Sequence, residues 1–312
     1  MAQEICGVDV SSKMLDARIG RSGPSAQFAR TTEGIAALAA FCKKHGAALV
    51  AMEATGGYEK LVHGLLWAQG VSAAIVNPRS VRRFGEAMGF LEKTDRIDAG
   101  LIAWYAEVKR IAAQPPAGET QERLAAMVTR LRQLTEMRTA QSNQRRLLSD
   151  PTVLATFEDL LALIARQIRQ LEREIAELID ADPLWAAFDA AFRSIKGVAD
   201  RTVARLMAEL PEIGTLSGKQ ASKLVGVAPL ARDSGNIKGK RKVRGGRSGV
   251  RSILFIVAEV VRRHEPDFAA FHKRLREAGK PKKLIRIALA HKLLVRLNAK
   301  ARDVRRKMLC PA

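Results

Sequence analysis

Aromatic residues make up only 5% of this 312-residue chain, and cysteine occurs just three times. So few rings argue against recognition led by stacking bases on exposed aromatics. Cys6, Cys42 and Cys310 are odd in number and widely spaced, which suits reduced thiols better than a disulfide framework. His45, His63, His264, His272 and His291 are scattered, and no Cys/His grouping has zinc spacing. No run of eighteen apolar residues exists, so no membrane span is expected. The start Met-Ala-Gln-Glu lacks the basic-then-apolar signature of a signal peptide, so the expected location is the cytoplasm, with nucleoid association when bound.

What the chain does have is charge and acids in unusual places. At 47% hydrophobic it is globular in composition, and its length allows a sizeable core and more than one domain. The net charge of +21 is unevenly held: residues 1–190 carry 23 Lys+Arg against 23 Asp+Glu, whereas residues 191–312 carry 30 against 9. A segment this basic calls for a polyanion, and nucleic acid is the default. A membrane surface is the weaker choice, because no basic amphipathic helix rich in large apolar residues accompanies the charge.

The stretch Phe90-Leu91-Glu92-Lys93-Thr94-Asp95-Arg96-Ile97-Asp98-Ala99 sets Asp95 and Asp98 about one turn apart on a predicted helix. Taken singly, Asp95 is explained by helix capping and Asp98 by pairing with an arginine. Two further acids resist that account. Asp9 lies inside the apolar run Ile5-Cys6-Gly7-Val8-Asp9-Val10, and Glu53 closes the run Leu49-Val50-Ala51-Met52-Glu53. A carboxylate there is costly unless something neutralises it, and four converging acids would make an oxygen-rich site for a hard divalent cation such as Mg²⁺ (or Mn²⁺).

Along the chain, the patterning predicts strands at 5–10, 14–19 and 25–29, a helix capped by Thr32, a buried strand at 48–53, and a helix over 58–69. A strand at 71–76 and a helix entered through Asn77-Pro78 follow. The order βββαβαβα is that of a ribonuclease-H-like α/β domain, with Asp9 and Glu53 on its first and fourth strands. Pro115-Pro116-Ala117-Gly118 ends the domain, expected at 1–118. Residues 119–190 form a helical spacer in which Ile164, Ile168, Leu171, Ile175 and Leu178 step at coiled-coil spacing. A hairpin packed on itself and a dimerising coil both satisfy that pattern.

The basic domain, 191–312, is expected to be mainly helical. Ser194-Ile195-Lys196-Gly197-Val198-Ala199 resembles a helix-hairpin-helix turn, whose backbone amides would face phosphate. From Arg232 to Arg251 the chain combines eight basic residues with five glycines, and so predicts a flexible loop able to lie along a phosphate backbone. Candidate nucleic-acid contacts are Lys196, Arg232, Lys238, Lys240, Arg241, Lys242, Arg244, Arg247 and Arg251.

These residues together resemble the DEDD-type transposases of bacterial insertion sequences, the family that also contains the Piv DNA invertase and the bridge-RNA-guided recombinases. The likeness covers nearly the whole chain. Gly7-Val8-Asp9-Val10, Glu53-Ala54-Thr55-Gly56-Gly57-Tyr58 and Lys93-Thr94-Asp95-Arg96-Ile97-Asp98-Ala99 resemble its acid motifs, in order. Gly226-Val227-Ala228-Pro229, followed by Ser234-Gly235 and the glycine-basic run, resembles the segment holding its nucleophilic serine. The resemblance implies a RuvC-like catalytic domain in which Asp9, Glu53, Asp95 and Asp98 hold Mg²⁺ while Ser234 attacks a DNA phosphate. It further implies donor and target DNA as partners, a structured guide RNA, and a homodimer or tetramer. On residues alone Ser234 is a loop hydroxyl before a turn-forming glycine, and Ser248 suits a helix entry. The competing reading is a metal-dependent nuclease of the Holliday-junction type, cutting with water and leaving Ser234 idle.

Overall fold

The computed structural model describes residues 4–90, 95–231, 233–234, 237–239 and 241–309; of 95–98, 237 and 238 it describes the backbone. The chain divides into two compact units, Met1–Ala117 and Gly118–Ala312. Among the described residues no helix is long and apolar enough to cross a membrane. Cys6 and Cys42 are buried free thiols, and Cys310 lies outside the described residues.

The first unit is built on a five-stranded sheet. In chain order it runs β1 (Ile5–Val10), β2 (Met14–Ile19), β3 (Ser25–Ala29), α1 (Thr32–Lys44), β4 (Leu49–Glu53), α2 (Tyr58–Ala68), β5 (Ala73–Val76), α3 (Pro78–Ala87) and α4 (Asp95–Lys109). The strands lie in the order β3-β2-β1-β4-β5, with β1–β2 and β2–β3 antiparallel and β1–β4 and β4–β5 parallel. β1 and β4 read as unbroken apolar runs because both of their faces are covered. On one face Cys6, Val8, Val10, Val50 and Met52 pack against Ile35, Leu38, Val62 and Leu66 of α1 and α2. On the other, Ile5, Leu49, Ala51 and Val76 meet Val81, Phe84, Ile102 and Ala106 of α3 and α4.

Local chemistry sets the boundaries. Helix α1 is capped by Thr31, whose hydroxyl accepts from the Gly34 amide at 3.2 Å, one residue before the cap expected from sequence. Asn77 caps α3 through the amides of Arg79 and Ser80, with Pro78 at the first helical position, where its missing N–H costs nothing. The same Asp/Asn-Pro device starts two helices of the second unit, at Asp150-Pro151 and Asp182-Pro183.

That second unit is mainly helical: α5 (Glu119–Arg145), α6 (Pro151–Asp180), α7 (Pro183–Arg193), α8 (Asp200–Glu209), α9 (Gly218–Val225), a short ribbon β6 (Asp233–Ser234) and β7 (Ile237–Lys238), then α10 (Ser248–His264), α11 (Pro266–Glu277) and α12 (Lys282–Leu309). Helices α5 and α6 form an antiparallel hairpin. At its base, Leu124, Leu131, Leu134, Ile164, Ile168, Ile175 and Ile179 join one continuous hydrophobic cluster with Phe192, Leu206, Leu254 and Leu293. The base of the expected spacer therefore shares a core with the basic helices. Its outer part does not: Leu147 is 86% exposed, and Leu148, Leu160 and Leu163 are also open to solvent.

Candidate functional site

The register of β1 against β4 pairs Val8 with Met52, so Asp9 and Glu53 follow as neighbours at the carboxyl ends of two adjacent parallel strands. Such strands lie about 4.8 Å apart. Side chains alternate along a strand, so Asp9 shares its face with Gly7, and Glu53 shares its face with Ala51, the face covered by α4. Both acids are half-buried.

Gly7 explains how α4 comes so close. A Cβ there would overlap the Ala99 carbonyl oxygen and lie 2.6 Å from the Ala103 amide nitrogen, so only glycine lets the helix backbone rest on β1. Farther along α4, Trp104, Glu107 and Val108 line a cleft beside Ile5, at the opposite end of β1. The helix therefore runs antiparallel to the strand, and its first turn, whose backbone carries Asp95 and Asp98, stands at the end holding Asp9 and Glu53. The side chains of Asp95 and Asp98 lie outside the described residues. Among those that are described, no group of three or more metal-ligating side chains is gathered. Asp9 and Glu53 supply oxygen donors only, a set that fits a hard divalent cation.

The segment behind Glu53 is fixed by its own hydrogen bonds. The buried carboxylate of Glu59 accepts from the amides of Thr55 and Gly57, both at 2.9 Å. Gly56 and Gly57 take φ of 65° and 107°, which side chains resist. Sequence reasoning passed over two residues here. Glu59 is one, and its signal was an acid two places after a Gly-Gly pair. Asp16 is the other: it stands directly opposite Asp9 in the β1–β2 ladder and accepts from Gln27 Nε2 at 3.0 Å. Finding it required the register of the Ser11–Met14 turn.

In the second unit the glycine-basic segment, expected as a flexible loop, folds in part as an antiparallel ribbon. Leu230 bridges to Lys242, Asp233 pairs with Lys238, and Ser234 pairs with Ile237, leaving Ser234 exposed. The base of the ribbon is tightly crossed. Gly226, with φ of 77°, touches Gly245 so closely that a Cβ would strike the Gly245 carbonyl. Arg247 donates to Glu212 through both terminal nitrogens, at 2.6 and 2.5 Å, and to the Glu209 carbonyl at 2.9 Å. Burial works against ionisation of Glu212, yet the hydrogen bonds from Arg247 and from its own backbone amide outweigh it and hold the carboxyl below its ordinary range. The Arg251 guanidinium donates to the Gly245 carbonyl. These two arginines thus fasten the ribbon's base.

Arg241, Lys242 and Arg244 are exposed on the ribbon side, and Lys196 is exposed on the α7–α8 turn. The Lys196 backbone amide donates to Glu265 Oε1 at 3.1 Å, so that amide is already engaged. Arg232 and Lys240 lie outside the described residues, as does the side chain of Lys238.

Comparison with known proteins bears on both units. Residues 6–150 match the DEDD family model for IS110 described as "Transposase", and residues 189–273 match the one described as "Transposase IS116/IS110/IS902 family". The pilin gene-inverting proteins of Moraxella lacunata and Moraxella bovis are each 28% identical over 311 residues, covering 94% of this chain and 94% of theirs. An uncharacterised 43.6 kDa protein of insertion element IS110 from Streptomyces coelicolor is 28% identical over 154 residues, 48% of this chain and 37% of its own length.

Proposed function

From the premise that the chain belongs to the IS110 family of transposases and is a DNA recombinase, we propose that it exchanges DNA strands through a metal-dependent site on the first unit and a serine nucleophile, Ser234, on the second. The observation that carries this reading is the placement of Asp9 and Glu53 side by side at the end of β1 and β4 where α4 begins. The strand order β3-β2-β1-β4-β5 also supports a RuvC-like, ribonuclease-H-type domain. Asp9, Glu53, Asp95 and Asp98 would hold Mg²⁺ or Mn²⁺. When bound, such an ion polarises the phosphoryl oxygens and lowers the barrier to attack by an oxygen nucleophile.

The protein's own groups then divide the work. Ser234 Oγ forms a bond to phosphorus as the bond to one deoxyribose oxygen breaks, and the released sugar hydroxyl takes up a proton. The phosphoserine so formed conserves the energy of the phosphodiester, so a different sugar hydroxyl can reverse the step and complete an exchange. Its exposure on a ribbon suits a nucleophile that must reach a duplex backbone. Arg241, Lys242 and Arg244, close by in sequence, would offset charge building on the phosphoryl oxygens.

A structured guide RNA that selects the DNA is part of the same proposal, with the protein reading backbone and shape while base pairing reads sequence. So is assembly as a dimer or tetramer. The exposed leucines on the outer part of the α5–α6 hairpin offer an apolar stripe for a second copy. The test is direct. Ser234→Ala is expected to abolish strand exchange and any covalent protein–DNA adduct, whereas a nuclease using water would keep cleaving.

A further inference from the structure

Tyr58 is the one exposed aromatic side chain among the described residues; at 45% exposure it differs from every described phenylalanine and tryptophan. It is not a stray surface ring. It opens α2 five residues after Glu53, beyond the turn that Glu59 clamps through the amides of Thr55 and Gly57. The Arg30 guanidinium sits over the ring, 4.9 Å from its centroid. Arg30 is itself tied to the turn that follows Asp9 and Val10, because its Nε donates to the Ser12 carbonyl at 2.9 Å and its amide to the Lys13 carbonyl at 2.8 Å. The pair therefore stands at the same end of the sheet as the two acids. It is held there by the loops that leave β1 and β4.

Electrostatics gives the pair a purpose. The first unit carries 14 Lys+Arg against 11 Asp+Glu, so it has little positive charge to spare for a phosphate chain. Arg30, with exposed Lys13 and Lys60 on the adjoining turn and helix, puts cations at that end of the sheet. Arg30 covers one face of Tyr58, and the ring as a whole stays 45% exposed. An exposed ring backed by a cation is suited to a nucleobase, which stacks on it regardless of sequence. Bases inside a duplex have no free face, so the nucleotide it takes has to be unpaired.

We propose that Tyr58 and Arg30 form a clamp for one unpaired DNA nucleotide flanking the scissile phosphodiester, with the base stacked on Tyr58 and its phosphate contacted by Arg30. The proposal rests on the reading of Asp9 and Glu53 as part of the cleavage site.

The test uses full-length protein, Ca²⁺ to permit binding without cleavage, and forked DNAs carrying 2-aminopurine at successive positions of the unpaired arm. The expected result is quenched fluorescence at one or two neighbouring positions. Tyr58→Phe is expected to keep the quench, Tyr58→Leu to remove it and to lower affinity for the forked DNA by about tenfold, the scale of one lost base stack, and Arg30→Gln to lower that affinity less. Quenching at no position, or an undiminished quench in Tyr58→Leu, overturns the clamp. Asp9→Asn separates the two readings. If it stops strand exchange while no quench is seen in the wild type, the clamp alone fails; if exchange survives it while the Tyr58-dependent quench persists, the assignment of the acids fails and the stacking site stands.

Discussion

The two units use charge in opposite ways. Met1–Ala117 holds 14 Lys+Arg against 11 Asp+Glu, whereas Gly118–Ala312 holds 39 against 21. In the first, few charges matter because of where they stand: Asp9 and Glu53 are neighbours on buried strands, in a setting that makes uncompensated charge expensive. In the second, many charges are present and a good share is spent on the fold. Arg247 binds Glu212, Arg251 binds the Gly245 carbonyl, Arg302 donates to the Leu216 carbonyl, and Arg305 donates to the carbonyls of Ile213 and Pro211. Net charge thus points to the class of partner and overstates how many side chains are left to meet it.

The contrast can be broken most severely in the first unit. Asp9→Asn or Glu53→Gln is expected to lower strand exchange by about a hundred- to a thousandfold, measured as recombinant product per unit time. DNA affinity should hardly move.

Next come the glycines that let backbones touch. Gly226→Ala places a Cβ against the Gly245 carbonyl at a φ of 77°, so it should cost about 1–3 kcal/mol. Gly7→Ala should cost a similar amount, about 1–3 kcal/mol, by lifting α4 off β1. Denaturant melts would assign the first loss to the second unit and the other to the first. Equal and negligible losses would mean the close approaches are not needed.

Affinity sharpens the comparison further. Replacing Arg241, Lys242 and Arg244 singly by alanine should reduce the slope of log affinity against log salt by about 0.9 for each DNA phosphate that is no longer neutralised. Arg247→Gln should act on stability instead. An unchanged slope for the exposed three, measured by titration at several salt concentrations, would move the nucleic-acid surface elsewhere.

The smallest effect is a pH dependence. The folded pKa of Glu212 is depressed, so its ion pair with Arg247 contributes stability that is full above the unfolded value and fades as pH falls through the folded one. Both side chains keep substantial exposure to solvent, so the effect is modest. Stability measured against pH should lose part of its acid slope in Glu212→Gln.

How much of this is legible in the sequence follows from the same contrast. Asp9 and Glu53 stand out because acids interrupt apolar runs, and the alternation of strands and helices in the first unit is strong. Asp16 is hidden because its position opposite Asp9 depends on a hairpin register that a short Ser-Ser-Lys turn does not announce. The ribbon around Ser234 is hidden because two-residue strands have no room for a period. Arg247 and Arg251 look like their exposed neighbours because Glu212 and Gly226 lie 35 and 25 residues away in sequence. Composition reports charge, and only packing reports what that charge is bonded to.

The central claim is that carboxylates on one unit and a hydroxyl on the other act on the same phosphodiester. Denaturing electrophoresis of the protein after incubation with its DNA and Mg²⁺, followed by peptide mapping of any covalent adduct, tests it most directly. The account predicts an adduct at Ser234 in the wild type and none in Ser234→Ala or Asp9→Asn. An adduct on another residue, or one that forms unchanged in Asp9→Asn, would contradict it.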